Sequence, residues 1–227
     1  MTRTTNARLA GFTFLFYIAV AFPEMVLFSR ATSGQGTAAK LANIAAHISE
    51  VRVSILLSLL SCFSAWVLAV TLYAITRDED HDLALLAFTC RVGEGMVGAI
   101  GTLTSVALLW IATTGIGANA SDASASNALG AILLRLAGWT PTIGATFFAV
   151  GSTLFSYLFL RGRMIPVALA WLGVVESVLL VVVLPLQLAG FLRGAVYSYV
   201  WLPMLVFEVT LALWLLIKGV PQAAMNH

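Results

Sequence analysis

Long apolar runs separated by short polar segments dominate the chain, and they predict membrane-spanning helices. A helix needs about 20 mostly apolar residues to cross the roughly 30 Å of bilayer hydrocarbon. Runs of about that length lie at residues 9–28, 53–75, 83–114, 141–160, 165–188 and 199–217. The pattern therefore predicts an all-α fold, a polytopic transmembrane helical bundle of about six spans, within a single integral membrane domain at 1–227.

The composition agrees with a bilayer environment. The chain is 60% hydrophobic and 10% charged, whereas soluble domains are about a quarter charged. The net charge of +2 is small and the basic residues are not clustered, so we expect the lipid bilayer as a partner and no nucleic acid. Arg3 and Arg8 precede the first run as in a signal peptide, but the run is too long and no small-residue cleavage site follows, so we interpret it as a retained span.

Two segments on one side of the predicted bundle favour short interfacial helices. Residues 37–50 place Leu41, Ile44 and Ile48 at helical spacing, which predicts an amphipathic helix or, alternatively, the exposed start of the second span. Residues 115–127 are small and polar and predict a flexible external loop. Residues 127–139 then predict a second short helix, with Pro141 opening the fourth span.

Basic residues predict the orientation of the spans. An even number of spans places both termini on one side, and that side carries six basic residues, Arg3, Arg8, Arg77, Arg161, Arg163 and Lys218. The other side carries five, Arg30, Lys40, Arg52, Arg135 and Arg193, of which the last three lie in helix ends rather than in loops. The positive-inside rule therefore predicts that both termini lie in the cytoplasm.

The third span carries two full charges and several small residues on one helical face. At about 100° per residue, one stripe of roughly 120° holds Arg91, Glu94, Gly95, Gly98, Gly101, Thr102 and Ser105. Small residues let a neighbouring backbone approach closely, so Gly95, Gly98 and Gly101 are predicted to mediate helix packing. We expect this polar stripe to face the centre of the bundle.

Other spans contain single charged residues that need a buried partner. An ionised side chain at membrane depth costs at least a few kcal/mol, so such groups usually face the bundle interior and are paired. The candidate ligand-binding or polar-network residues are Glu24, Arg52, Arg91, Glu94, Arg135, Glu176 and Glu208. Two interpretations stay open, a polar cavity for a ligand or a proton path, and ion pairs that only fix helix register and packing.

Familiar catalytic and cofactor motifs do not explain these charges, so the sequence leans away from an enzyme and names no catalytic residue, metal ligand or cofactor. No HExxH motif is present, and His47 with Glu50 is more typical of a solvated pair than of a zinc site. The GxGxxG match at Gly93–Gly98 lies inside an apolar helix without a preceding strand. Cys62 and Cys90 stand alone on different spans and indicate buried apolar residues.

Four segments together resemble the bacterial domain of unknown function 4386 (DUF4386). They are "ARLAGFTFLFYIAVAFPE" at 7–24, "FTCRVGEGMVG" at 88–98, "FLRGRMIPVALAWLGVV" at 159–175 and "FEVTLALWLLIKGV" at 207–220. The resemblance implies a small multi-span protein of the bacterial cytoplasmic (inner) membrane, without an assigned reaction. It also implies that Arg8, Glu24, Arg91, Glu94, Pro166 and Glu208 are positions of the family pattern.

Two functions from different classes are compatible with these features. The first is an integral membrane protein that binds, senses or transports a small molecule, such as a small hydrophobic ligand or a lipid, at a buried Arg/Glu pocket. The alternative is an accessory structural subunit that packs against a larger membrane protein complex. A cavity that reaches Glu94 favours the first function, whereas a dry bundle with Arg91 and Glu94 fully paired favours the second.

Overall fold

A computed structural model describes residues 2–114, 120–192 and 196–221. Within these ranges the chain is helical, with seven helices and no strand: α1 (Arg3–Ala31), α2 (Gly36–Ala46), α3 (Ile48–Thr76), α4 (His81–Thr114), α5 (Ala120–Arg161), α6 (Val167–Leu188) and α7 (Val196–Ile217). Across the described residues, every helix except α2 is long and apolar enough to cross a membrane. The predicted all-α fold with six candidate spans is confirmed, and it indicates a protein of the lipid bilayer.

Helix α2 is separate from the second span. It ends at Ala46 and is capped by His47, whose backbone N–H donates to the carbonyls of Asn43 at 3.0 Å and Ile44 at 3.2 Å. Ile44 is buried, as is Leu41, in agreement with the predicted amphipathic pattern. The short helix is therefore confirmed over Gly36–Ala46, while residues 48–50 of the predicted segment begin α3, the second span.

Helix α5 differs from the prediction in where it begins and in the position of Pro141 within it. Residues 120–127 are helical rather than a loop, while residues 115–119 lie outside the described residues. This segment contains alanine and no glycine or proline, and alanine has the highest helix propensity. Pro141 lies inside the helix instead of starting it, so residues 127–139 do not form a separate short helix. At about 1.5 Å per residue, the 42 residues extend about 63 Å.

Pro141 is tolerated because it removes only one hydrogen bond from a long helix. Its ring nitrogen cannot donate, so the carbonyl of Ala137 loses its usual partner, a loss that membrane helices accept when the neighbouring turns are intact. Thr140 next to it donates its hydroxyl to the carbonyl of Leu136 at 2.7 Å. The Thr140 side chain therefore supplies a hydrogen bond in the helical turn that contains the proline.

The chain divides into two compact units, each made of parts of several helices. The first unit comprises Met1–Tyr17, Phe63–Gly95 and Thr142–His227. Its core includes buried side chains from six helices, and the large ones include Phe14, Leu72, Phe155, Leu180 and Leu211. The α1 and α7 backbones meet in this unit, since a Cβ atom at Gly11 would lie 2.5 Å from the Ala212 carbonyl oxygen.

The second unit comprises Ile18–Cys62 and Met96–Pro141. Its smaller core includes Ile44, Val51, Leu108 and Ile111. Asn43 closes the end of α1 here, because its side-chain amide donates to the carbonyls of Arg30 at 2.8 Å and Ala31 at 3.1 Å. The single integral membrane domain at 1–227 stays a prediction, as does the orientation of the spans, for which Arg193 lies outside the described residues.

Candidate functional site

Arg91 of α4 is enclosed among aromatic side chains in the first unit. It is only 1% exposed. Its guanidinium carbon lies 4.9 Å from the ring centre of Phe148 on α5 and 5.9 Å from that of Phe14 on α1, within cation–π range. Gly151 makes room for the side chain, because a Cβ atom there would lie 3.3 Å from Cγ and Cδ of Arg91. Three helices therefore shape the chamber that holds this cation.

Glu94 lies one turn further along α4 and neutralises Arg91. Its Oε2 lies 2.8 Å from Nη1 of Arg91, but the angles at these atoms lie outside hydrogen-bond geometry, so the contact is an ion pair only. Its other oxygen, Oε1, accepts a hydrogen bond of 2.9 Å from the Tyr17 hydroxyl of α1. Glu94 thus connects the charge on α4 to a phenol on α1.

Glu208 of α7 supplies a second buried carboxyl group. It is 8% exposed, and the charges of both Arg91 and Glu94 act on it. No described protein atom forms a hydrogen bond with its Oε1. We call Tyr17, Arg91, Glu94 and Glu208 the Arg91 cluster.

A small cavity lies beside this cluster. Its volume is about 10 Å³, and its lining includes Glu208 of α7 together with Ser152 and Ser156 of α5. A cavity of this size holds about one water molecule when polar partners are present. The cavity therefore offers room for a water molecule and no room for an organic ligand.

The Arg91 cluster carries more hydrogen-bonding capacity than the protein satisfies. The guanidinium nitrogens Nε, Nη1 and Nη2 of Arg91 are buried, and none forms a hydrogen bond within the described part of the chain. Unpaired buried polar groups cost about 1–3 kcal/mol each, and more when charged. One cation also stands beside two carboxyl groups. The arrangement can therefore bind a polar species or hold a proton at a carboxyl oxygen.

No hydrogen bond or ion pair between described residues joins the other predicted charged residues to the Arg91 cluster. Glu176 of α6 is buried, but no hydrogen bond or ion pair joins it to the cluster in the described residues, and its Oε2 has no hydrogen-bond partner there. Glu24 belongs to the second unit and is half-buried. Arg52 and Arg135 also belong to that unit and are exposed. The structure thus brings together three of the seven candidates, Arg91, Glu94 and Glu208.

The glycines of the polar stripe lie against different helices. In the second unit, a Cβ atom at Gly98 would lie 2.9 Å from Sγ of Cys62 on α3, and one at Gly101 would lie 2.9 Å from Cγ2 of Thr140 on α5. Gly95 is buried in the first unit. The sequence predicts the stripe as one surface, but its glycines contact two different helices, α3 at Gly98 and α5 at Gly101.

Sequence reasoning missed four residues that shape the site, Phe14, Tyr17, Phe148 and Gly151. Tyr17 offered a signal, since its hydroxyl lies within an apolar run seven residues before Glu24. The two phenylalanines and the glycine resemble many others in the chain, so no local pattern distinguishes them.

Fold and site together define an integral membrane helical protein with a buried, incompletely paired charge cluster. The family model described as "Domain of unknown function (DUF4386)" matches residues 9–219, and the chain belongs to this family. The matched range includes Glu24, Arg91, Glu94, Pro166 and Glu208, and it begins one residue after Arg8. No match was found among curated proteins or among solved structures.

Proposed function

We propose that this membrane protein binds or transports a small ligand at the Arg91 cluster. The observation that carries the proposal is the incomplete pairing of Arg91 and Glu208 inside candidate spans, where no described group forms a hydrogen bond with their buried atoms. Ionisable groups retained at such depth typically mark ion and substrate pathways or proton relays. A purely structural ion pair would be expected to satisfy more of its donors and acceptors.

The size of the adjacent cavity restricts the ligand that the closed structure accommodates. About 10 Å³ beside Glu208 accepts one water molecule, and a larger molecule requires the helices to separate. A proton carried by a water molecule in this cavity reaches Glu208 without such movement. We therefore take the proton as the first ligand to test, with the Tyr17 hydroxyl and the carboxyl groups of Glu94 and Glu208 as its successive carriers.

Proton flux into liposomes tests this function. The purified protein is reconstituted with an enclosed pH-sensitive dye, and a potassium gradient with valinomycin imposes a membrane potential. We expect potential-driven acidification that Glu208→Gln reduces by at least about tenfold while the protein still elutes as a folded species. Asp82→Asn is the matched control, because it also converts a carboxyl to an amide but at an exposed side chain. Flux equal to that of empty liposomes, or unchanged flux in Glu208→Gln, contradicts the proposal.

We also propose the bacterial cytoplasmic membrane as the location, with both termini in the cytoplasm. The support is the excess of basic residues at the ends of the spans that share a side with the termini. A reporter that matures only in the cytoplasm, fused after His227, is expected to be active, whereas activity of a periplasmic reporter at that position contradicts this orientation.

A second candidate is an accessory subunit of a larger membrane complex. It is favoured by the limited space beside the Arg91 cluster, which leaves no room for an organic ligand. This role predicts that a second membrane protein is retained in fixed stoichiometry after extraction in native nanodiscs, and that the isolated chain carries no proton flux. Glu208→Gln would then leave the recovered complex unchanged.

A further inference from the structure

A second, larger cavity lies in the first unit, away from any residue of the Arg91 cluster. It is bounded by the connection between α5 and α6 and by the end of α7, and its volume is about 490 Å³. Ligand sites commonly enclose about 300–1,000 Å³, so this space suits a molecule rather than a single water. We call it the basic cavity.

The charged residues among the described lining of the basic cavity are basic. Its lining includes Arg163 and Lys218, and none of the described lining residues is acidic. Both side chains are exposed, and neither forms an ion pair with a described residue. Arg3 also reaches this lining, where its guanidinium donates to Sδ of Met164 at 3.4 Å, but a carboxyl oxygen of Glu79 lies 4.0 Å from the same guanidinium and offsets its charge. Two free cations therefore flank the space.

The remaining lining is apolar and aromatic. Met164, Ile165 and Val220 are buried and contribute apolar surface, and Trp214 contributes an indole ring. Tryptophan is enriched where membrane helices reach the headgroup region, and Trp214 lies in the last turn of α7. The cavity thus combines a cationic side with an apolar side at the end of a candidate span.

Arg163 occupies a backbone position that normally belongs to glycine. Its φ angle is 47°, in the left-handed region that disfavours residues with a Cβ atom. The N–H of Met164 donates to the Phe159 carbonyl at 3.0 Å, and the N–H of Arg163 donates to the Leu160 carbonyl at 3.2 Å, the pattern with which glycine commonly closes a helix. A large cation stands here although glycine would fit the turn better, which argues that its side chain is used.

We propose that the basic cavity binds the phosphate of an anionic phospholipid headgroup. Arg163 and Lys218 would contact the phosphate, and the apolar side would contact the glycerol and the first acyl carbons. The orientation proposed above places this end of the bundle in the cytoplasmic leaflet, whose anionic lipids attract basic residues at helix ends. A free phosphate shares the charge chemistry but would leave the apolar surface unused. This site is independent of the function proposed for the Arg91 cluster.

Lipid binding to the full chain in detergent tests the proposal by native mass spectrometry. Dioleoyl phosphatidylglycerol and dioleoyl phosphatidylcholine are titrated separately, because they share acyl chains and differ in net charge. We expect the anionic lipid to bind at least about tenfold more tightly. Arg163→Gly and Lys218→Gln should each weaken its binding about fivefold, the effect of losing one cation near a charged lipid, and leave phosphatidylcholine binding unchanged.

The variants separate loss of binding from loss of fold. Glycine fits the left-handed conformation at 163, so Arg163→Gly keeps the turn, and Lys218→Gln changes a side chain that is already exposed. Lys40→Gln in the second unit is the matched control and should bind as the original chain does. Equal affinity for the two lipids, or a preference that survives the double variant, overturns the proposal. Displacement of phosphatidylglycerol by equimolar inorganic phosphate would overturn the lipid assignment in favour of a free-phosphate site.

Discussion

The ion pair between Arg91 and Glu94 makes a quantitative prediction through a double-mutant cycle. The cycle consists of Arg91→Met, Glu94→Leu and the variant that carries both changes. Each single change leaves one charge buried without its partner, whereas the double change leaves two apolar side chains of similar length in contact. We therefore expect the double variant to lose much less unfolding free energy than the sum of the losses of the two single variants.

The magnitude follows from the geometry. Unit charges 2.8 Å apart attract each other by about 6 kcal/mol at an effective dielectric constant of about 20. Desolvation of both ions offsets most of this attraction, so the intact pair contributes little, but removing one partner of a buried pair typically costs about 3–5 kcal/mol. Glu94→Leu also removes the acceptor of the Tyr17 hydroxyl, a further cost of about 1–3 kcal/mol. The double variant should lose no more than about 3 kcal/mol, chiefly from this hydrogen bond.

Reversible unfolding in mixed micelles measures the free energy of unfolding of the four proteins. We expect a coupling energy of about 3 kcal/mol or more between the two positions, because residues in contact depart from additivity. If the loss of unfolding free energy in the double variant equals the sum of the two single losses within about 0.5 kcal/mol, Arg91 and Glu94 do not stabilise each other and the prediction is wrong. The double variant also separates roles, since it keeps the fold but should carry no ligand or proton.

Three further substitutions test the surroundings of the cluster and the end of α1. Gly151→Ala should lower the thermal unfolding midpoint, at a cost of about 1–3 kcal/mol, because the new methyl group crowds Arg91; Gly138→Ala on the same helix meets nothing within 4 Å and should be neutral or stabilising by up to about 1 kcal/mol. Equal effects of the two would contradict this account. Tyr17→Phe should cost about 1.5–3 kcal/mol, since its hydroxyl donates to a carboxyl oxygen, and an unchanged unfolding free energy would refute that bond. Asn43→Ala should cost about 1–2 kcal/mol and increase hydrogen exchange at the end of α1, whose last carbonyls it binds; unchanged exchange would argue against this cap.

Much of the helical architecture is encoded locally and could be predicted. A span must present apolar side chains over about 30 Å whatever it packs against, and each predicted run overlaps one long helix of the structure. The error at α5 arose from treating Pro141 as a helix start. Proline fits a first turn best, but it also persists inside a long membrane helix, and the sequence alone does not distinguish these cases.

The candidate site was only half predictable. Spacing along one helix placed Arg91 and Glu94 on one face, since residues three apart are neighbours. Their partners Tyr17, Phe148 and Glu208 lie on three other helices, and the choice among many apolar faces depends on tertiary packing that periodicity does not encode. The same reason explains the polar stripe, because a helix with several neighbours shares one face among them.

The contact between α1 and α7 at Gly11 has a consequence for the order in which the protein matures. Helices enter the membrane as they are synthesised, amino terminus first, and α1 waits for α7 through the insertion of every helix between them. Arg91 and Glu94 share one helix and can neutralise each other as soon as α4 is inserted. Glu208 joins them only after α7 has docked, so a nascent chain that lacks α7 has a paired charge but an unfinished site.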